Sequence, residues 1–317
     1  MTKELKLINM EDVEVKAVEW LWYPYIPYGK ITILQSDPGT GKTTLMLQLA
    51  AWLSKGEALP LLNEESTPIN IIYQTAEDGL EDTIKPRLLK SGADCSRILV
   101  IDESEAELTM NDERLEEAID RTGARLVILD PIQAYVGSNV DLNRANEIRP
   151  VLKQLGNVAE RHNCAIVLIG HMNKSSNSKS TYRGLGSIDF QATARSVLIV
   201  GRLRDKPSIR IIGHDKSSLA QEGKPMAFEI DEEGFKWIGE YDISMEDILS
   251  GTGTESKMKL AEDLLKDMLK DGEKSQIEIL EKSNLIGVSK RVLDEAKKSL
   301  EVVSVKKGKS WYWKLNM

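Results

Sequence analysis

Short apolar runs alternate along the chain with stretches whose apolar positions recur every three or four residues. ITIL (31–34), INIIYQ (69–74), RILVI (97–101), LVILD (126–130), AIVLIG (165–170) and SVLIV (196–200) read as buried strands. TTLMLQLAAWLS (43–54), DERLEEAID (112–120) and NEIRPVLKQLGNVAERH (146–162) have helical spacing. Continuous apolar strands separated by helices predict an α/β fold with a mostly parallel central sheet covered on both faces. PSIRIIGHDK (207–216), followed by MAFEI and FKWIG, predicts an antiparallel extension. VEWLWYPYIPYG (18–29) is aromatic and proline-rich, which suits packing on this core or on a neighbour; residues 1–17 form an acidic leader.

The pattern changes near SGTGTES (250–256), a small, polar stretch with linker character, so the first domain is expected over 18–249. Residues 257–317 then read as three helices and two short strands around a Lys-Gly turn, the order of a winged helix-turn-helix. Small protein-docking modules share that order. Charge sharpens the picture. The 317 residues hold 42 Lys+Arg and 50 Asp+Glu, a net −8. Residues 256–317 hold 14 basic and 10 acidic side chains, so +4, which leaves −12 for the rest. A basic end on an acidic body hints at a polyanion partner. Lys290, Arg291, Lys297 and Lys298 lie on the third predicted helix, and Lys306, Lys307 and Lys309 on the wing. Strand alternation sets Tyr312 opposite both Trp311 and Trp313, one set in the core and the other exposed.

No apolar run approaches the roughly 18 residues of a membrane span. The charged start lacks a signal-peptide core, and two cysteines, Cys95 and Cys164, make no disulfide framework, so a cytoplasmic protein without a membrane partner is expected.

SDPGTGKTT (36–44) stands between a predicted strand and a predicted helix and fits the phosphate-binding loop, with Ser36 in place of the first glycine. Ser36, Asp37, Pro38, Gly39, Thr40, Gly41, Lys42, Thr43 and Thr44 are the nucleotide-binding candidates. The glycines let successive N–H groups turn inward, and the helix start adds the positive end of its dipole. Lys42 would reach the β- and γ-phosphates of ATP and Thr43 would offer its hydroxyl to Mg2+. Asp130 closes the strand LVILD and is the metal-orienting acid. Pro131 stands where many such ATPases carry a glutamate, so the base must come from elsewhere. Glu77, at the end of INIIYQTAEDG, is the candidate, with Asp78 a cap or supporting group. His171 closes AIVLIGH and could bind the γ-phosphate and report its loss, or merely end the sheet edge as a satisfied polar residue.

SDPGTGKTTLMLQLA, TAEDG, LVILDPIQAYVGSNVDLNRANEIRPVL, GHMNK, YRGLGSIDFQATARSVLIV and HDKSSLA resemble, in order and spacing, the RepA-like replicative helicases among the RecA/DnaB-type ATPases of phages, plasmids and mobile elements. The resemblance covers about residues 18–317. It implies a RecA-like core, a homo-oligomeric ring, typically a hexamer, and ATP at subunit interfaces. A neighbouring subunit then supplies an arginine finger; Arg195 is the best match, with Lys216 a second trans-acting candidate. The family's DNA-facing loops correspond to 137–147 and 173–187, the latter with Lys174, Lys179 and Arg183. Single-stranded or forked DNA is the implied partner, with a replication initiator or primase beside it. Two readings remain: an ATP-driven DNA helicase, or an ATP-switched DNA-binding and loading protein that moves no strand. A small-molecule kinase would need a substrate lid, and none is recognisable.

Overall fold

The computed structural model describes residues 5–62, 65–138, 140–142, 144–172, 188–203, 206–250, 254–308 and 310–315. In chain order, the core contains β1 (Trp20–Trp22), β2 (Ile26–Pro27), β3 (Ile31–Ser36), α1 (Lys42–Lys55), β4 (Ile71–Thr75), α2 (Lys85–Lys90), β5 (Ile98–Leu99), α3 (Glu113–Thr122), β6 (Leu126–Asp130), α4 (Ala145–Arg161) and β7 (Ala165–His171). It continues through α5 (Ile188–Thr193), β8 (Ser196–Arg202), β9 (Ile209–Ser217), β10 (Met226–Ile230), β11 (Phe235–Glu240) and α6 (Met245–Ser250).

Among the described residues nine strands form one sheet in the order β11-β10-β9-β8-β3-β7-β6-β4-β5. The six strands from β8 to β5 run parallel, and β9, β10 and β11 extend the sheet antiparallel. The expected α/β class and its antiparallel extension are both present. Neighbouring residues along each strand enter opposite cores, as a pleat requires. Leu34, Tyr73 and Ile128 pack with Leu45 and Leu49 of α1 on one face. Ile33, Val127 and Leu129 pack with Leu115 and Ile119 of α3 and with Leu152 and Leu155 of α4 on the other.

The aromatic segment packs on its own core. Trp22 and Tyr25 are fully buried. The Trp22 indole donates to Pro60 O at 2.8 Å, and the Tyr25 hydroxyl to Lys224 O at 2.6 Å. Tyr25 also stacks on His214 with ring centres 5.0 Å apart. RILVI, expected as a five-residue strand, pairs only over β5. It is the outermost strand, joined to β4 alone, and Val100 turns out to solvent.

The C-terminal unit contains α7 (Thr254–Leu269), β12 (Lys274–Ser275), α8 (Gln276–Leu285), α9 (Lys290–Ser299), β13 (Val303–Lys307) and β14 (Ser310–Lys314). Helix α7 begins inside the stretch expected as a linker. The three strands pair antiparallel in the order β12-β14-β13 beside a core of Leu265, Leu269, Ile279, Leu293 and Trp313. The two tryptophans alternate with Tyr312 as expected but do not share one environment. Trp313 is 2% exposed and Trp311 47%. Trp313 lies between Lys274 and Ser304 in mid-sheet, whereas Trp311 faces only Lys306, past the end of β12.

Candidate functional site

Parallel register sets the site. Ser36, the last residue of β3, is level with His171 of β7, and Thr75 of β4 is level with Asp130 of β6. Ligand sites in such sheets lie outside the carboxyl ends of the strands, and the loop after β3 emerges at that rim. The loop turns through Gly39 at φ +73° and Gly41 at φ +94°, left-handed conformations that cost glycine nothing. Gly41 is then the N-cap of α1 and offers no side-chain acceptor to the first-turn amides. Those amide donors and the dipole are left for an anion.

Lys42 is 5% exposed. Its Nζ lies 2.8 Å from Ser36 Oγ, 3.3 Å from the carbonyl oxygens of Ser36 and Asp37, and 3.3 Å from His171 Nδ1. Burial pushes its ammonium down to about 8, against the pull of Asp130, Asp37 and Glu77. The serine that replaces the motif's first glycine is itself buried, and its hydroxyl contacts Thr40 Oγ1 as well as Lys42. The substitution therefore braces the loop from below. Thr40 Oγ1 also donates to Asp37 O at 2.9 Å.

Thr43 Oγ1 donates to Asp130 Oδ2 at 2.7 Å, so the two candidate metal residues are in contact. Tyr73 donates to the same oxygen at 2.9 Å. That phenol is held well above its ordinary value, first by burial and then by the Asp130 carboxylate, so it stays a donor. Sequence reasoning missed Tyr73 because a tyrosine inside an apolar strand looks like ordinary core.

His171 links two of the predicted residues. Lys42 can only donate, so Nδ1 accepts and the proton sits on Nε2. Nε2 lies 4.0 Å from Glu77 Oε1. Burial, then Lys42, lowers the histidine from its usual value, which keeps it neutral at physiological pH. The Glu77 side chain is 66% exposed at this rim. Asp78 pairs with Arg87 at 3.2 Å and takes a backbone bond from its amide to Thr75 Oγ1 at 3.3 Å.

Arg195 is not part of this cluster. It precedes β8, its amide donates to Ile31 O, and it lies at the opposite rim from Lys42. Lys216, level with Val197 near the start of β8, lies towards that same opposite rim. Its Nζ takes the carbonyls of Gln191, Ala192 and Ala194 at 3.0, 3.0 and 2.9 Å, capping α5 within its own chain. Lys174, Lys179 and Arg183 lie outside the described residues. Of the C-terminal cations, Lys290 is exposed, Arg291 pairs with Asp242 of the core, and Lys297 sits 4.3 Å over the Trp313 ring.

A phosphate loop on the central strand, facing an acid two strands away, defines a P-loop ATPase fold. An AAA domain family model, AAA_25, matches residues 3–177, more than half of the chain, and the protein belongs to that family. Curated relatives include "DNA repair protein RadA" of Listeria monocytogenes, 28% identical over 46% of this chain and 28% of its own, and the RadA of Streptococcus pneumoniae, 28% identical over 55% and 39%. The chain thus spans about a third of the length of those relatives. Among solved structures it is similar to the RadB recombinase, at 21% identity and TM-score 0.49, over 68% of this chain and 92% of that one. A KaiC-like protein from Pyrococcus horikoshii OT3 matches at 20% identity and TM-score 0.47, over 67% and 91%. Among the described residues no helix is long and apolar enough to cross a membrane.

Proposed function

We propose that the protein is an ATP-hydrolysing DNA motor, a ring-forming replicative helicase of a phage or mobile element. The observation that carries this is the meeting of Lys42, Thr43, Asp130, Glu77 and His171 at one rim of the sheet. Among the described residues no three His, Cys, Asp or Glu are grouped for a metal. Thr43 and Asp130 are two hard oxygens in contact, a donor set that suits Mg2+ completed by phosphate oxygens and water. When bound, the ion neutralises charge on the phosphates. Lys42 holds the β- and γ-phosphates with the amides of the loop. Glu77 accepts the proton of the attacking water, and His171 donates Nε2–H toward the γ-phosphate. In the proposed ring Arg195 serves the phosphate of a second copy, because its own loop lies at the other rim. DNA is supported by the basic C-terminal unit and by the relatives named as DNA repair proteins.

Those same relatives favour a second reading, an ATP-switched DNA-binding or loading protein. ATP turnover and particle mass, with and without magnesium and single-stranded DNA, test the proposal. A multimer with DNA-stimulated turnover is expected, and a monomer whose turnover ignores DNA overturns it. Strand displacement then separates motor from switch.

A further inference from the structure

Arg210 is an unusual cation for its position. It lies on β9 between Arg202 of β8 and Phe228 of β10, and is only 9% exposed. Its Nη1 donates to the carbonyls of Pro207, Ser208 and Ile230. Its Nε is buried with no hydrogen-bond partner. A buried donor left unpaired is costly, the more so when it belongs to a charged group, so such a group calls for an explanation. The nearby Glu229 carboxylate is engaged by the Ser208 hydroxyl at 2.6 Å.

The orphan points at the phosphate loop. Nε lies 3.6 Å, and Cδ 3.9 Å, from where a Cβ on Gly41 would stand, with the Ile230 δ-methyl at 2.6 Å. Ile230 and Arg210 therefore form the wall of the loop on the β9 side. Helix α1 carries no acidic residue in its first turn and no side-chain cap. A second cation at the positive end of a helix is unfavourable until an anion joins it. Burial and Arg202 both press the guanidinium toward losing its proton, yet arginine's ordinary value is too high for that to happen. Glu229 opposes both, but its carboxylate accepts from Ser208, and Nε itself meets no acceptor among the described residues.

We propose that Arg210 is the second cation of the phosphate site, its Nε–H donating to a phosphate oxygen of the nucleotide held by residues 36–44. Lys42 approaches from the β7 side and Arg210 from the β9 side. Turning the Ile230 side chain, a rotamer change, uncovers Nε to the loop. The inference rests on the nucleotide-site reading above. It differs from a trans-acting arginine finger, because Arg210 serves the loop of its own chain.

Titration calorimetry of the full chain with ATP and with ADP, in the presence of magnesium, tests it. Arg210→Met should weaken both about ten- to hundredfold, the range for a hydrogen bond to a charged group. Arg210→Lys retains a cation and three donors for the carbonyls of Pro207, Ser208 and Ile230 but lacks Nε–H. It should keep the melting temperature of the unliganded protein near wild type and still bind ATP several-fold more weakly. Wild-type affinity in either folded variant overturns the proposal and leaves Arg210 as a pin between strands. If the wild-type chain itself binds neither nucleotide, the nucleotide-site reading fails instead.

Discussion

The cations at the phosphate rim and those of the C-terminal unit are built on different principles. Lys42 is buried, held by backbone carbonyls and a serine, and has its charge pressed down by its surroundings. In the C-terminal unit Arg291 pairs with Asp242, Lys307 with Glu273, and Lys297 lies over Trp313. The two ion pairs lie at the surface, the Trp313 ring is buried beneath Lys297, and all three contacts are made within the chain. A surface pair contributes little to stability and gives up its partner easily. A buried cation at a helix N-terminus has a defined direction and a defined ligand. Charge alone is thus a poor guide to function in this protein; what surrounds the charge decides.

The sharpest way to break this comparison is Lys42→Ala. It removes the buried cation that the loop itself carries and should abolish ATP turnover, while the loop's glycines and fold remain. Wild-type turnover in the purified variant contradicts the site. Next in size is Glu77→Gln, which cannot accept a proton and should cost roughly 10²–10⁴-fold in turnover with ATP still bound. Mixed with Arg195→Ala protein, it should regain part of the rate, since one subunit lends the arginine and the other the glutamate. No recovery in rings shown to be mixed removes the trans role of Arg195.

A smaller effect follows from the environment of Lys42. Its ammonium titrates at about 8 because burial disfavours the charge. Phosphate favours the charged form and raises that value on binding. Below this pH the group is already charged and adds no slope. Above it, binding must take up a proton, so ATP affinity should fall by up to about tenfold per pH unit. Calorimetry in buffers of different ionisation enthalpy should show that proton uptake, and its absence would mean that the free amine is not depressed.

The smallest effect on catalysis belongs to the C-terminal unit. Deleting residues 251–317 removes α7 to β14 and the exposed Arg291–Asp242 pair, and should leave basal ATPase nearly intact. If the unit binds DNA, affinity falls and the salt dependence becomes shallower by about one unit of slope per lost phosphate contact. Filter binding across a salt series measures both. Unchanged affinity and slope assign the unit to protein docking.

Much of the core was legible because parallel strands are apolar on both faces, and LVILD matches β6 residue for residue. The phosphate loop was legible because its glycines and lysine are local requirements. What depends on neighbours far away in sequence was not. Tyr73 becomes informative only when register brings it beside Asp130, 57 residues on. Lys216 matched a motif position, but only the fold shows the three carbonyls it holds. The two tryptophans of β14 obeyed alternation yet differ in burial, because a short partner strand covers only one of them.

The short aromatic hairpin at the start of the core also has a mechanical meaning. Trp22 and Tyr25 anchor it by side-chain bonds to Pro60 and Lys224, and the Ser196 hydroxyl bonds to the Tyr25 carbonyl at 2.7 Å. Tension applied to residues before Trp20 is therefore shared with β8, Lys224 and the segment after α1 before the remainder passes along the chain into β3. A bead or surface tether placed ahead of residue 19 should therefore load three separate parts of the core at once, which spreads the force before it reaches the phosphate loop.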